Sequence, residues 1–125
     1  MGDRGNIEIR QPREGASPIF LYTHWRGSYV NEILADALVK AQKGGRLGDY
    51  TYCTRIIFQE MIDGDDTTTS YGISVGSVDD NEHNIPLVEW TKDGLTINER
   101  YTPQEWIDEF AGKIRPIVKM RVVTS

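Results

Sequence analysis

Ile19-Phe20-Leu21-Tyr22-Thr23-His24-Trp25-Arg26-Gly27-Ser28-Tyr29-Val30-Asn31-Glu32-Ile33-Leu34 decides the fold. Its first half, Ile19 to His24, is an apolar run with strand composition. Its second half opens a helical pattern: Val30, Ile33, Leu34, Ala37, Leu38 and Ala41 fall on one face at 3.6-residue spacing. Between them lies a corner, His24-Trp25-Arg26-Gly27-Ser28, with Ser28 placed as the expected N-cap. A strand that ends at a helix start presents free backbone N–H groups and the positive end of a helix dipole. An arginine and a tryptophan there add a phosphate fork and a stacking plane. Arg26 precedes the cap, where a cation is unfavourable unless an anion or an acid compensates it. Asp49 or an acid from the polar loops is the expected partner within the chain.

Working outward, Asn6-Ile7-Glu8-Ile9-Arg10 alternates with period two and reads as a strand antiparallel to Ile19–His24. Gly44-Gly45 stops the first helix, and a second is expected from about Thr51 to Ile62. Asp49 is placed to cap that helix, with Cys53, Ile56, Ile57 and Met61 as its apolar stripe. Tyr71-Gly72-Ile73-Ser74-Val75-Gly76 alternates as a strand, and its glycines suggest close approach of backbone or ligand. Pro86–Trp90 and Leu95–Arg100 flank Asp93-Gly94 and predict a hairpin. Thr102-Pro103-Gln104-Glu105 is a capping box, with Tyr101 and Trp106 at the staple positions. Residues 113–125 read either as an edge strand or as an oligomerisation tail. The order predicts a single α+β domain over 1–125: an antiparallel or mixed sheet with two or three helices packed on one face.

The chain has 125 residues, one cysteine and a net charge of −5. That balance speaks against a partner that is long nucleic acid. No window approaches the ~20 apolar residues of a membrane span. The polar start and the lone cysteine predict a cytoplasmic protein. Charge is unevenly spread: residues 61–112 hold twelve acids against Lys92 and Arg100. The final segment carries Lys113, Arg115, Lys119 and Arg121 with no acid.

Catalytic and metal signals are weak. His24 and His83 lack the spacing of a nucleophile triad. Asp63-Gly64-Asp65-Asp66 and Asp79-Asp80-Asn81-Glu82 miss the alternation of a calcium loop and read as turn acids. Cys53 sits on an apolar stripe and reads as a buried thiol. No catalytic residue, metal ligand or cofactor is therefore assigned. Arg26 and Arg100 remain, each beside a helix start, a pairing suited to a ligand with two phosphates.

Several of these residues together resemble a family. Met1-Gly2-Asp3-Arg4, then a short strand, Leu21-Tyr22-Thr23-His24-Trp25 and a glycine turn into a helix form one block. Gly72-Ile73-Ser74-Val75-Gly76, a loop of Asp and Asn, and a hairpin strand ending Asn98-Glu99-Arg100 form another. Both resemble the phage Thoeris anti-defence sponge proteins. Those proteins sequester a cyclic ADP-ribose signal made by bacterial TIR-domain immunity proteins, and some hold cyclic oligonucleotides. The two blocks cover about half of the chain; Asp63 to Ser70 and the tail after Gly112 lie outside them. The resemblance implies a non-enzymatic inhibitor in the host cytoplasm, a homo-oligomer binding its ligand between subunits. It implies phosphate contacts from Arg26 and Arg100 beside the His24-Trp25 corner. It further implies a base-stacking aromatic, Tyr71 or Trp25, and a polar contact from Asn81 or Asn84. The competing expectations are a small phosphodiesterase-like enzyme using His24, His83 or the Asp loops, and a protein-interaction module with no small ligand.

Overall fold

A computed structural model describes residues 2–114. The predicted tail therefore lies outside the described residues from position 115 onward. The elements run β1 (Gly5–Arg10), β2 (Ile19–Thr23), a 3-10 turn (Gly27–Tyr29), α1 (Val30–Lys43) and α2 (Tyr50–Ile62). They continue with β3 (Tyr71–Val75), β4 (Leu87–Thr91), β5 (Gly94–Ile97) and α3 (Pro103–Phe110). The five strands form one mixed sheet in the order β3-β2-β1-β4-β5, and with its three helices the domain is α+β. β1 and β2 pair antiparallel, as the alternation of their sequences predicts. Among the described residues the one parallel pairing joins β1 to β4, with Glu8 opposite Leu87, 79 positions on, and carries no local signal in the sequence.

The core lies between the helices and one sheet face. Ile7 and Ile9 of β1, Leu21 of β2, Val88 of β4 and Ile97 of β5 point into it. They meet the whole predicted α1 stripe, every member of which is buried. Each such aliphatic side chain contributes about 1.5–3 kcal/mol relative to leaving it in water. α1 touches α2 on one side and α3 on the other, so the three helices form one layer.

Local signals place the helix ends well. The Asp49 carboxylate accepts from the Tyr52 N–H at 3.2 Å. Thr102 and Glu105 form the reciprocal capping box, at 3.1 and 2.8 Å. The Tyr101 and Trp106 rings meet edge to face at 5.1 Å.

Three expectations are corrected. Ser28 is not an N-cap: the chain makes a 3-10 turn over Gly27–Tyr29 first, and α1 starts at Val30 without a side-chain cap. The hairpin strand ends at Ile97, not Arg100, because Asn98 and Glu99 take φ of +55° and +65° and turn the chain. Gly72 of β3 and Gly76 just beyond it mark no close approach of backbone among the described residues, since a Cβ at either would meet nothing within 4 Å. The close approach is at Gly27 and Gly5 instead. A Cβ on Gly27 would lie 2.6 Å from the Arg4 carbonyl carbon, and one on Gly5 would lie 2.6 Å from the Gly27 Cα.

Candidate functional site

That glycine contact docks the N-terminal segment onto the His24–Ser28 corner. Asp3 N–H donates to the His24 carbonyl and Gly27 N–H to the Asp3 carbonyl, both at 2.7 Å. The Asp3 side chain then turns to the start of the helical turn. Its carboxylate accepts from the Ser28 N–H at 3.0 Å and from the Ser28 hydroxyl, and its other oxygen meets His83 Nε2 at 2.5 Å. The anion seat read from the sequence is thus filled by the chain's own acid, contributed from 25 positions upstream. Burial works to raise the Asp3 pKa, but hydrogen bonds from Ser28 and His83, with the charge of His83, outweigh it, and the net shift is downward. Sequence reasoning missed this role, although Asp3 stood in a quoted motif, because the contact is long-range.

Arg26 is compensated from an unexpected side. One Nη donates to the Met61 carbonyl at 2.8 Å and to the Glu60 carbonyl at 3.4 Å, the last turn of α2. A guanidinium at a helix C-terminus satisfies free carbonyls and opposes the dipole's negative end. The partner is neither Asp49, which caps α2, nor a loop acid. The same side chain lines a cleft of about 610 Å³ with Asp36, Lys40, Lys43, Glu60 and Asp63. Val39, Ala111 and Ile114 supply its apolar surface. Asp36, Val39, Lys40 and Lys43 follow helical spacing, so the cleft runs along one face of α1. Lys40 pairs with Glu60 at 2.5 Å.

The remaining corner residues gather at the same end of the sheet. Thr23 of β2 is in register with Tyr71 of β3. Trp25 is 53% exposed, and its indole N–H donates to Ser70 Oγ at 3.0 Å. Ser70 holds φ +86°, which non-glycine residues rarely adopt. The His24 ring stands edge to face with Trp25 at 4.5 Å, and its Nδ1 shares a 2.7 Å hydrogen bond with the Tyr22 hydroxyl. Burial pushes the Tyr71 phenol pKa up and Asp65 adds to this, while the nearby Arg26 charge pulls it down. His24, Trp25, Arg26 and Tyr71 are therefore neighbours.

Arg100 is not among them within one chain. β1 and β4 lie between β2 and β5, three strand spacings or roughly 14 Å across the sheet, and the register sets Ile97 level with Val88, Ile9 and Ile19, at the opposite end of β2 from Thr23 and Arg26. Arg100 is exposed, stacks 4.6 Å over the Tyr101 ring and donates to its hydroxyl. Asn81 lies on the other sheet face. It accepts from the buried Asn6 amide at 3.2 Å and bonds the His83 carbonyl. Asn84 is exposed.

The acidic loop beside Asn81 is held by Arg4, which meets Asp80 at 2.9 Å and Glu82 at 3.3 Å. Among the described residues no three His, Cys, Asp or Glu side chains converge as a metal site. His24 and His83 engage different partners. Burial pushes the Cys53 thiol up to about 12, and the Asp49 charge adds to the shift. No helix among the described residues is long and apolar enough to cross a membrane. Comparison with protein-family models, with curated proteins and with solved structures gave no match.

Proposed function

We propose that this chain is a non-enzymatic binding protein that captures a cyclic nucleotide or cyclic ADP-ribose signal. The observation that carries the reading is the Arg26 cleft. One Nη of Arg26 is anchored on the α2 carbonyls, and its guanidinium stands in a cleft of mixed charge with Lys43, with Lys40 paired to Glu60, and with Asp36 and Asp63. The cleft volume, about 610 Å³, falls in the range of small-molecule sites. An anchored guanidinium loses little freedom when it meets a phosphate, which favours tight retention. Trp25 and Tyr71 do not line the cleft; Tyr71 lies near Arg26 and Trp25 precedes it in the chain, so these are the aromatic rings close by for a base to meet. Arg100 joins only from a second copy, so the complete site is intersubunit and the protein a homo-oligomer. The resemblance to the Thoeris sponges supplies the ligand class, the phage origin and the host cytoplasm as setting.

Retention and release test this. The protein is mixed with cyclic ADP-ribose or with a cyclic di- or trinucleotide, filtered, and then heat-denatured. Intact ligand should appear in the filtrate only after heating. A chemically altered product would identify an enzyme instead, and no retention of any of these compounds would reject the reading.

A further inference from the structure

We infer that the β3 edge is a docking strand for residues 117–123 of a second copy of this chain. β3 is an edge strand, and the register puts Ile73 opposite Leu21 and Val75 opposite Ile19. All four side chains share the sheet face that the helices cover. Leu21 is 1% exposed, yet Ile73 and Val75 are 58% and 65% exposed. Among the described residues the helix layer thus stops short of β3 and leaves an apolar strip beside backbone groups that no described strand pairs. This edge carries no lysine, proline or bulge, the devices that blunt edges against further pairing.

The occupant is picked out by pattern and charge. Residues 117–123 read Ile-Val-Lys-Met-Arg-Val-Val. Val118, Met120 and Val122 alternate with Lys119 and Arg121. Added beside β3, the first set extends the strip of Ile73 and Val75. The second set then falls on the face of Gly72 and Ser74, where Asp79 and Asp80 line a shallow cleft. Pairing β3 with another β3 would instead bring the acids of 63–66 and 79–82 of the two chains together.

The described chain ends beside α1 and the C-terminal end of α2. Gly112 N–H donates to Asp36 on the outer surface of α1 at 2.8 Å. The five residues from Gly112 to Ile117 span at most ~17 Å when extended. α2 packs against both α1 and β2, and Ala111, Gly112 and Ile114 line the cleft that reaches Arg26 and Asp63 at its C-terminal end. A second copy supplies the strand without so short a link. The interaction is strand addition, in which main-chain bonds give affinity and alternate side chains give specificity.

Disulfide trapping in the full chain tests it. One preparation carries Ile73→Cys; the other carries Val118→Cys, Met120→Cys or Val122→Cys, the three covering the possible registers. Mixing should give a reducible crosslinked pair for at least one combination. Ile73→Lys should weaken self-association roughly tenfold or more by sedimentation, since it removes buried apolar area and adds an edge charge. Absence of a crosslink from every mixture would overturn the inference. So would a crosslink that forms only within a chain carrying both cysteines. Ligand retention is read separately, so failure here leaves the proposed function standing.

Discussion

Replacing Asp3 by alanine removes the acid that occupies the helix-start seat. Two acceptor contacts to Ser28 go with it, one to the backbone N–H and one to the hydroxyl. Loss of a capping acceptor costs about 1 kcal/mol, and loss of a negative charge at the positive end of a dipole costs roughly 0.3–1 kcal/mol more. The total is about 1.3–2 kcal/mol. With ~2.1 cal/mol/K of unfolding entropy per residue, a chain of 125 residues loses roughly 4 °C of Tm per kcal/mol. The expected drop is therefore about 5–8 °C at pH 7, measured by calorimetry. The sign of the pH dependence is fixed. The folded pKa of Asp3 lies below its ordinary 3.8, so its contribution is fully present above 3.8 and disappears as pH falls through the lower folded value. The Tm gap between wild type and Asp3→Ala should close in that acid range and not before. A vacated seat should also accept an external anion, so inorganic phosphate should stabilise Asp3→Ala more than wild type. A gap below about 1 °C at pH 7, or one that persists unchanged at pH 2.5, would refute the reasoning.

Gly27→Ala should be the more damaging change, because its Cβ would meet Arg4 backbone at 2.6 Å and backbone cannot swing aside. A loss of about 3 kcal/mol or more is expected in urea unfolding. Thr102→Ala should cost about 1 kcal/mol by the same measurement, since it removes half of the α3 capping box. Cys53, fully buried with its thiol pushed up to about 12, should not react with a disulfide reagent at pH 8 in the folded protein and should titrate as one thiol in denaturant.

What the sequence reveals here follows the range of the interaction. The α1 stripe, the Asp49 cap, the Thr102 box and the Asp93-Gly94 hairpin are written in neighbouring residues, and the structure contains all of them. The strand–corner–helix reading placed the strand and the helix but misassigned the contacts of the corner between them. Asp3 reaches Ser28 across 25 positions, and Arg26 reaches Met61 across 35. Neither leaves a periodic or local trace. The same holds for Gly5 against Gly27, which looked like ordinary turn glycine. Arg100 was misplaced on a strand because positive φ at Glu99 is rare for a glutamate, so propensity favoured continuing the strand.

The central claim is that the Arg26 cleft holds an anionic nucleotide-like ligand without altering it. Titration of isotopically labelled protein with cyclic ADP-ribose, followed by amide and indole NMR shifts, tests that claim most directly. Saturable shifts should concentrate at the Trp25 indole, Arg26, Lys40, Lys43 and Tyr71, and the phosphorus spectrum of ligand released afterwards should match the starting compound. Shifts confined to surfaces away from α1 and the Trp25 corner, or a changed phosphorus spectrum, would contradict it.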